Sequence, residues 1–403
     1  MGRVAGIDWA KDEHHVLVAD ERGLGLYEEL VAHQEEPLAR LCATLRRLRV
    51  ERVAVERPDG LLVERLLDAG LTVLAIHPNQ VKAARPRFRA QGGKSDRFDA
   101  FVLCELARTD SHRLRVLVPD TDETKALRQL TCAREDLVAA RVALANQLRA
   151  QLEAFWPGAA RIFADVDSQI ALCFLERYPT PADARGLGPS RLAAFLARHG
   201  YRGRRTPEQP LARLRSAPRA PTGEAESEAR RQVVLSLVAA LRPLVERSSL
   251  LTAEIAHAVR AHPDDELFLS LFRDPKSVVT AARPLAEIGD CRARYPNPEA
   301  PAADAGMSAV AVESGKRKQA AFRYGCDKRL RDSFATLADS TRHWHPWARR
   351  HYTDARARGH DHPRAARTVG RAWCRVVWRI WQDQTPYDPT RHNALQRQLS
   401  LGG

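Results

Sequence analysis

Val4-Ala5-Gly6-Ile7-Asp8 is a short apolar run ending on a carboxylate. A second run follows from His15 to Ala19, and the polar turn Asp20-Glu21-Arg22-Gly23 leads to a third, Leu24 to Leu30. Three short runs joined by tight polar connections predict a strand meander. A helix-like stretch from Pro37 to Leu48, the strand Arg52-Val53-Ala54-Val55-Glu56, a helix from Leu61 to Ala69 and the strand Thr72 to Ile76 come next. Two strand–helix alternations favour parallel strands behind the meander, so the first part of the chain reads as α/β. Ser95 is placed to cap a helix running through Phe101, Val102, Leu106 and Ala107, with Asp96 and Asp99 in its first turn, where the positive end of the dipole favours anions.

The middle has another texture. Leu127, Leu130, Leu137, Leu144 and Leu148 recur at about heptad spacing as far as Trp156, which predicts a long exposed helix or coiled-coil arm of about 50 Å. Tyr201 to Ser227 is rich in Pro and Arg and reads as a linker or mobile loop. A second long helix is expected from about Glu228 to Arg260, bent at Pro243. The remainder reads as a helical, basic unit ending in Ala366 to Gln382, with Trp373, Trp378 and Trp381. The expected division is 1–115, α/β; 116–262, coiled coil and linker; and 263–403, mainly α.

The 403 residues are 44% apolar and 28% charged, enough to bury a sizeable core and too apolar for a disordered chain. Lys and Arg number 64 against 50 Asp and Glu, and the resulting +14 favours a polyanionic partner, nucleic acid first. No run of eighteen apolar residues is present and Met1 to Asp12 lacks signal-peptide character, so the expectation is a cytoplasmic, nucleoid-associated protein without a membrane partner. Seven cysteines, at 42, 104, 132, 173, 291, 326 and 374, share no metal-ligand spacing and are expected to be reduced and mostly buried.

Asp8 and Glu56 end predicted strands, and Asp96 and Asp99, three apart on a helix, share a face. Each acid alone has an ordinary explanation as a strand-end, turn or first-turn charge. Four carboxylates brought together repel unless cations neutralise them, which makes such a cluster sensible mainly as a divalent-metal site; two Mg²⁺ would balance four carboxylates.

The motifs Gly6-Ile7-Asp8-Trp9-Ala10-Lys11, Val55-Glu56-Arg57-Pro58-Asp59-Gly60, His77-Pro78-Asn79-Gln80-Val81-Lys82 and Lys94-Ser95-Asp96-Arg97-Phe98-Asp99-Ala100 resemble the amino-terminal domain of the Piv DNA invertase and insertion-sequence 110 transposase family. The resemblance implies a RuvC-like, ribonuclease H-type fold, with Asp8, Glu56, Asp96 and Asp99 as the DEDD ligands of Mg²⁺. Ser95 stands where Thr is more usual. In the carboxy-terminal part, Glu313-Ser314-Gly315-Lys316 resembles the family's Ser-Gly motif, and Leu330-Arg331, His351-Tyr352, Arg358-Gly359-His360 and Tyr387-Asp388-Pro389 follow in the family's order. That implies Ser314 as catalytic nucleophile, docked over the carboxylates. Alone, Ser314 reads as an ordinary turn residue. The sequence departs from the family at Ala309, at Asp327 and at Arg273-Asp274-Pro275-Lys276. The resemblance further implies cutting and rejoining of target and donor DNA, guidance by a structured noncoding bridge RNA, and a homodimer or homotetramer assembled with help from the coiled coil.

Two basic clusters are candidate nucleic-acid contacts. Lys82, Arg85, Arg87, Arg89, Lys94 and Arg97, with Phe88 among them, flank the second acid pair; Lys316, Arg317, Lys318, Arg323, Lys328, Arg329 and Arg331 follow Ser314. Trp344 and Trp347 among basic residues are candidates for base stacking, with burial the more ordinary reading. Other classes compete: a metal-dependent junction nuclease of RuvC type would need the four acids and not Ser314, a DNA invertase of the same family would share everything, a sugar kinase would need Gly-rich phosphate loops that are not found, and an inactive nucleic-acid-binding descendant would need neither acids nor serine.

Overall fold

Arg3–Trp9 (β1) is buried on both faces from Val4 to Asp8, whereas Glu13–Ala19 (β2) buries His14, Val16 and Val18 on one face in alternation with half-buried His15 and Leu17. The computed structural model describes residues 2–56, 58–88, 95–201, 203, 206–274, 277–314 and 317–391, except the side chains of 115, 312–314, 317–319 and 391. Two units divide at Pro119 and Asp120.

In unit 1 the meander β1, β2 and β3 (Gly25–Ala32) is antiparallel. The chain then passes through α1 (Glu35–Arg47), β4 (Val50–Val55), α2 (Leu61–Asp68) and β5 (Thr72–Ala75), and β4 and β5 continue the sheet in parallel from β1. A two-residue β6 (Arg115–Val116) closes the order β3-β2-β1-β4-β5-β6. Parallel strands behind a meander are what the alternating pattern predicted. One face of the sheet is covered by Leu38, Leu41 and Leu45 of α1 with Leu62 and Leu66 of α2. The other is covered by Val81 of α3 (Pro78–Phe88) and Val102, Leu103 and Ala107 of α4 (Asp96–Thr109). Each fully buried Leu or Val contributes about 1.5–3 kcal/mol. Ser95 caps α4 as expected, its hydroxyl accepting from the Phe98 N–H at 3.2 Å.

Unit 2 is helical apart from one hairpin. α5 (Asp122–Phe155) and α10 (Glu224–Ala261) pack against each other in opposite directions: Leu127 shares a core with Ile255 and Val259, and Leu148 and Leu152 share another with Val234 and Val238. The heptad leucines therefore find their partner within the chain. α10 runs unbroken through Pro243. The stretch 201–227 departs from the predicted loop. Glu208–Ser216 is a helix, α9, whose Leu211 and Leu214 are 3% and 2% exposed against α6 (Pro157–Arg161), α7 (Gln169–Arg177) and α8 (Pro189–Arg198). Two leucines three apart suffice to bury one face, and the prolines and arginines hid them.

The rest of unit 2 comprises α11 (Asp265–Leu269), α12 (Val278–Ile288), α13 (Glu299–Asp304), the strands β7 (Val310–Ser314) and β8 (Arg317–Ala321), α14 (Lys328–Trp344), α15 (Pro346–Ala357) and α16 (His362–Asp383). Its core is built on Trp347, Trp373 and Trp381. Trp347 is thereby removed as a stacking candidate: it is 3% exposed. No described cysteine is in a disulfide; Cys104 and Cys374 are buried and the other five half-buried, fewer buried than expected. No helix among the described residues is long and apolar enough to cross a membrane.

Candidate active site

Register brings the first two acids together. β1 and β4 run parallel with Ile7 opposite Val55, so Asp8 and Glu56 are the next residues along neighbouring strands, Asp8 one short of the end of β1 and Glu56 just past β4. The second pair arrives on α4. A Cβ on Gly6 would lie 2.1 Å from the Ala100 carbonyl oxygen and 2.3 Å from the Cys104 N, so glycine is what lets α4 lie directly on β1. Cys104 Sγ reaches the Val4 carbonyl at 3.6 Å, while Ala100 meets Gly6, so helix and strand run in opposite directions. Four helical residues rise about 6 Å, and two strand residues rise about 6.6 Å. Continuing the match carries the turn from Asp96 to Asp99 to the level of Asp8, on the face that Gly6 and Asp8 share.

Side chains are less uniform than backbones here. Asp99 is 2% exposed and its two oxygens accept from Arg85 Nε and Nη2 at 2.7 and 2.8 Å; Asp8 is 9% exposed, Glu56 half-buried and Asp96 exposed. Among the described residues no three His, Cys, Asp or Glu side chains are grouped to hold one metal ion. Beside the acids is a network that sequence reading missed. His15 pairs across the sheet with Asp8, and its Nε2–H donates to Glu28 Oε1 at 2.8 Å; Arg97 of α4 donates to both Glu28 oxygens at 2.5 and 2.8 Å. Hydrogen bonds from Arg97, then from His15, hold the Glu28 carboxyl below its ordinary range. The only sequence signal for it is cross-strand register, which appears once the meander is paired.

Ser314 is the last residue of β7 and pairs with Arg317, the first of β8. Its side chain and residues 315–316 lie outside the described residues.

The family model described as Transposase, of the DEDD, IS110 type, matches residues 5–157, and the one described as Transposase IS116/IS110/IS902 family matches residues 277–353. The protein named "Mini-circle putative transposase for IS117" of Streptomyces coelicolor is 31% identical over 96% of this chain and 95% of its own length. The chain belongs to the IS110 family of transposases. The insertion element IS116 uncharacterized 44.8 kDa protein of Streptomyces clavuligerus is 28% identical over 95% of this chain and 96% of its own length. Among solved structures, T. thermophilus RuvC in complex with Holliday junction substrate is 22% identical, covering 29% of this chain and 100% of that one at a TM-score of 0.24, a likeness that carries no argument. Transposases are enzymes that cut and rejoin DNA.

In this transposase the cations expected to meet nucleic acid differ in what holds them. Arg85 is committed to Asp99, Arg87 is paired with Asp110 at 3.5 Å, and Arg329 is paired with Glu135 and Asp136 at 3.6 and 3.2 Å. Arg331 donates to the Arg323 carbonyl at 3.0 Å, while Lys82 and Lys328 are exposed. Arg89, Lys94 and Lys316 lie outside the described residues, as do the side chains of Arg317 and Lys318.

Proposed function

We propose that this transposase breaks and rejoins DNA strands by Mg²⁺-dependent phosphoryl transfer in a RuvC-like, ribonuclease H-type unit, with Asp8, Glu56, Asp96 and Asp99 as ligands and Ser314 as nucleophile. The observation that carries the reading is the close seat of α4 on Gly6, which brings the turn bearing Asp96 and Asp99 level with Asp8, beside Glu56. The donors suit a divalent cation in kind, being hard carboxylate oxygens, while their described side chains are not grouped around one point and Arg85 holds both Asp99 oxygens. When bound, Mg²⁺ polarises the phosphate under attack and stabilises the departing oxygen.

The chain's own residues do the rest. Asp8 and Glu56 are aligned by the parallel ladder, and Asp96 and Asp99 by the capped first turn of α4. The Ser314 hydroxyl gives up its proton as its oxygen bonds to phosphorus; the bond from phosphorus to one DNA strand breaks, and that strand leaves with a terminal hydroxyl. The phosphoserine link conserves the bond energy, so a DNA hydroxyl reverses the step on a new partner. Lys82, Arg85, Arg87, Arg89, Lys94, Lys316, Arg317, Lys318, Lys328, Arg329 and Arg331 contact phosphates in this reading. A structured noncoding bridge RNA selects target and donor, and the paired α5 and α10, whose Val142, Val233 and Leu250 are 51%, 41% and 56% exposed, contribute to a homodimer or homotetramer. The functional division remains 1–115, 116–262 and 263–403.

The test is trapping of a covalent protein–DNA adduct on labelled element ends in Mg²⁺. Wild-type protein forms it; Ser314→Ala neither forms it nor cuts, and Asp8→Asn binds DNA without cutting. Cutting by Ser314→Ala without an adduct would instead establish hydrolysis by a junction nuclease.

A further inference from the structure

Just beyond β8 lies an aromatic pair that the proposed chemistry leaves without a task. The Phe322 ring has Arg331 over it at 4.9 Å and Arg367, from α16, also at 4.9 Å. A phenylalanine with two guanidinium groups at its ring is held by cation–π attraction. Tyr324 meets Phe322 edge-to-face, with ring centres 4.8 Å apart at 79°, and is 81% exposed. Tyrosine so exposed, yet fixed in angle by a clamped neighbour, presents a rigid aromatic surface to solvent.

The surrounding charge is positive. Arg323, Arg331 and Arg367 make no ion pair among the described residues, and Arg323 and Arg331 spend donors on backbone carbonyls, of Ser308 at 3.2 Å and of Arg323 at 3.0 Å. The nearby acids are engaged elsewhere: Asp327 caps α14 by accepting from the Leu330 N–H at 3.0 Å, and Asp304 accepts from the Tyr295 hydroxyl at 2.7 Å. An exposed aromatic ring among guanidinium groups that make no ion pair with the described residues matches the chemistry of single-stranded nucleic acid, which offers an unstacked base beside a phosphate. A paired duplex presents no free base face.

We propose that Tyr324, held by the Arg331–Phe322–Arg367 clamp, stacks an unpaired base of a single-stranded DNA or RNA segment. Ser314 pairs with Arg317 at one end of the hairpin, and Ala321, three residues before Tyr324, ends β8 about 14 Å further along the strand. The proposal rests on nucleic-acid binding by this family and on neither the metal ligands nor Ser314.

Fluorescence anisotropy on the full chain, in chelator so that no chemistry intervenes, tests it with three labelled probes: a short oligothymidylate, the same backbone made abasic, and a mixed-sequence duplex. Tyr324→Ala weakens oligothymidylate binding about tenfold, leaves the abasic and duplex probes unchanged and melts at the wild-type temperature; Tyr324→Trp binds like wild type. Equal oligothymidylate affinity in wild type and Tyr324→Ala would overturn the proposal. Equal loss on all three probes would also overturn it, making the patch a backbone contact. So would unchanged binding with a drop in oligomeric mass, which would assign the ring to a protein interface. Ser314 is tested by adduct formation, so the two readings fail separately.

Discussion

Asp99 and Arg85 form a pair in which one partner is nearly inaccessible and the other about one-quarter exposed. Removing Arg85 strands a buried carboxylate, so Arg85→Met should destabilise unit 1 by about 3 kcal/mol in chelator. If Asp99 is a metal ligand, millimolar Mg²⁺ recovers part of that loss in urea unfolding; no recovery would remove Asp99 from the ligand set. Glu287 titrates in the other direction. Burial first, then Asp327, pushes its carboxyl up to about 7 from 4.5, against the pull of Arg128 and Arg329. A carboxyl raised on folding contributes stability while protonated, fully present below pH 4.5 and lost as pH rises through 7. Wild-type protein should therefore lose stability relative to Glu287→Gln across that window, by no more than about 3 kcal/mol, in melts at pH 5 and pH 8. The placement of the acids at 8, 56, 96 and 99 near strand ends and in a helix's first turn was legible because such positions are visible in one dimension. The pairings of Arg85 with Asp99 and of His15 with Glu28 were not, because register and packing bring them together.

The element that settles the site is α4, and a single absent methyl group lets it settle. Gly6→Ala would drive a Cβ into the backbone of Ala100 and Cys104, neither of which is a flexible side-chain tip, so the helix must move. The expected cost is about 3 kcal/mol or more, read as a lowered melting temperature of the full chain together with loss of cleavage while duplex binding persists. A variant as stable and active as wild type would mean that α4 sits farther from β1 than described. Most strands and helices of unit 1 were readable to within a few residues from short-range apolar patterning, whereas α3, which buries only Val81, and the two-residue β6 were not. α9 was hidden because prolines and arginines crowd the longer stretch around it, and its buried face is only Pro210, Leu211 and Leu214.

At the scale of the whole chain, charge is the property most directly fixed by composition. With a net +14 on the whole chain and two basic clusters within it, binding should fall steeply with salt: about 6–10 phosphate contacts cost about 10³–10⁵ in affinity between roughly 50 and 200 mM salt. A nearly flat plot of log affinity against log salt would contradict a phosphate-gripping surface. Sequence could show this charge, but not that the heptad leucines of α5 are met by α10 rather than by another chain; a heptad records the need for a partner and not its address. That hairpin of long helices has a narrow neck. The Phe155 carbonyl at the end of α5 accepts the Ala220 N–H at 3.1 Å, just before α10 begins, while residues between them pack around Phe174 and Phe195 in a core shared with Leu148 and Leu152 of α5 and Val234, Val238 and Leu241 of α10. Because that core is shared, trimming the knob would uncover apolar side chains of both long helices, so knob and stalk stand or fall together.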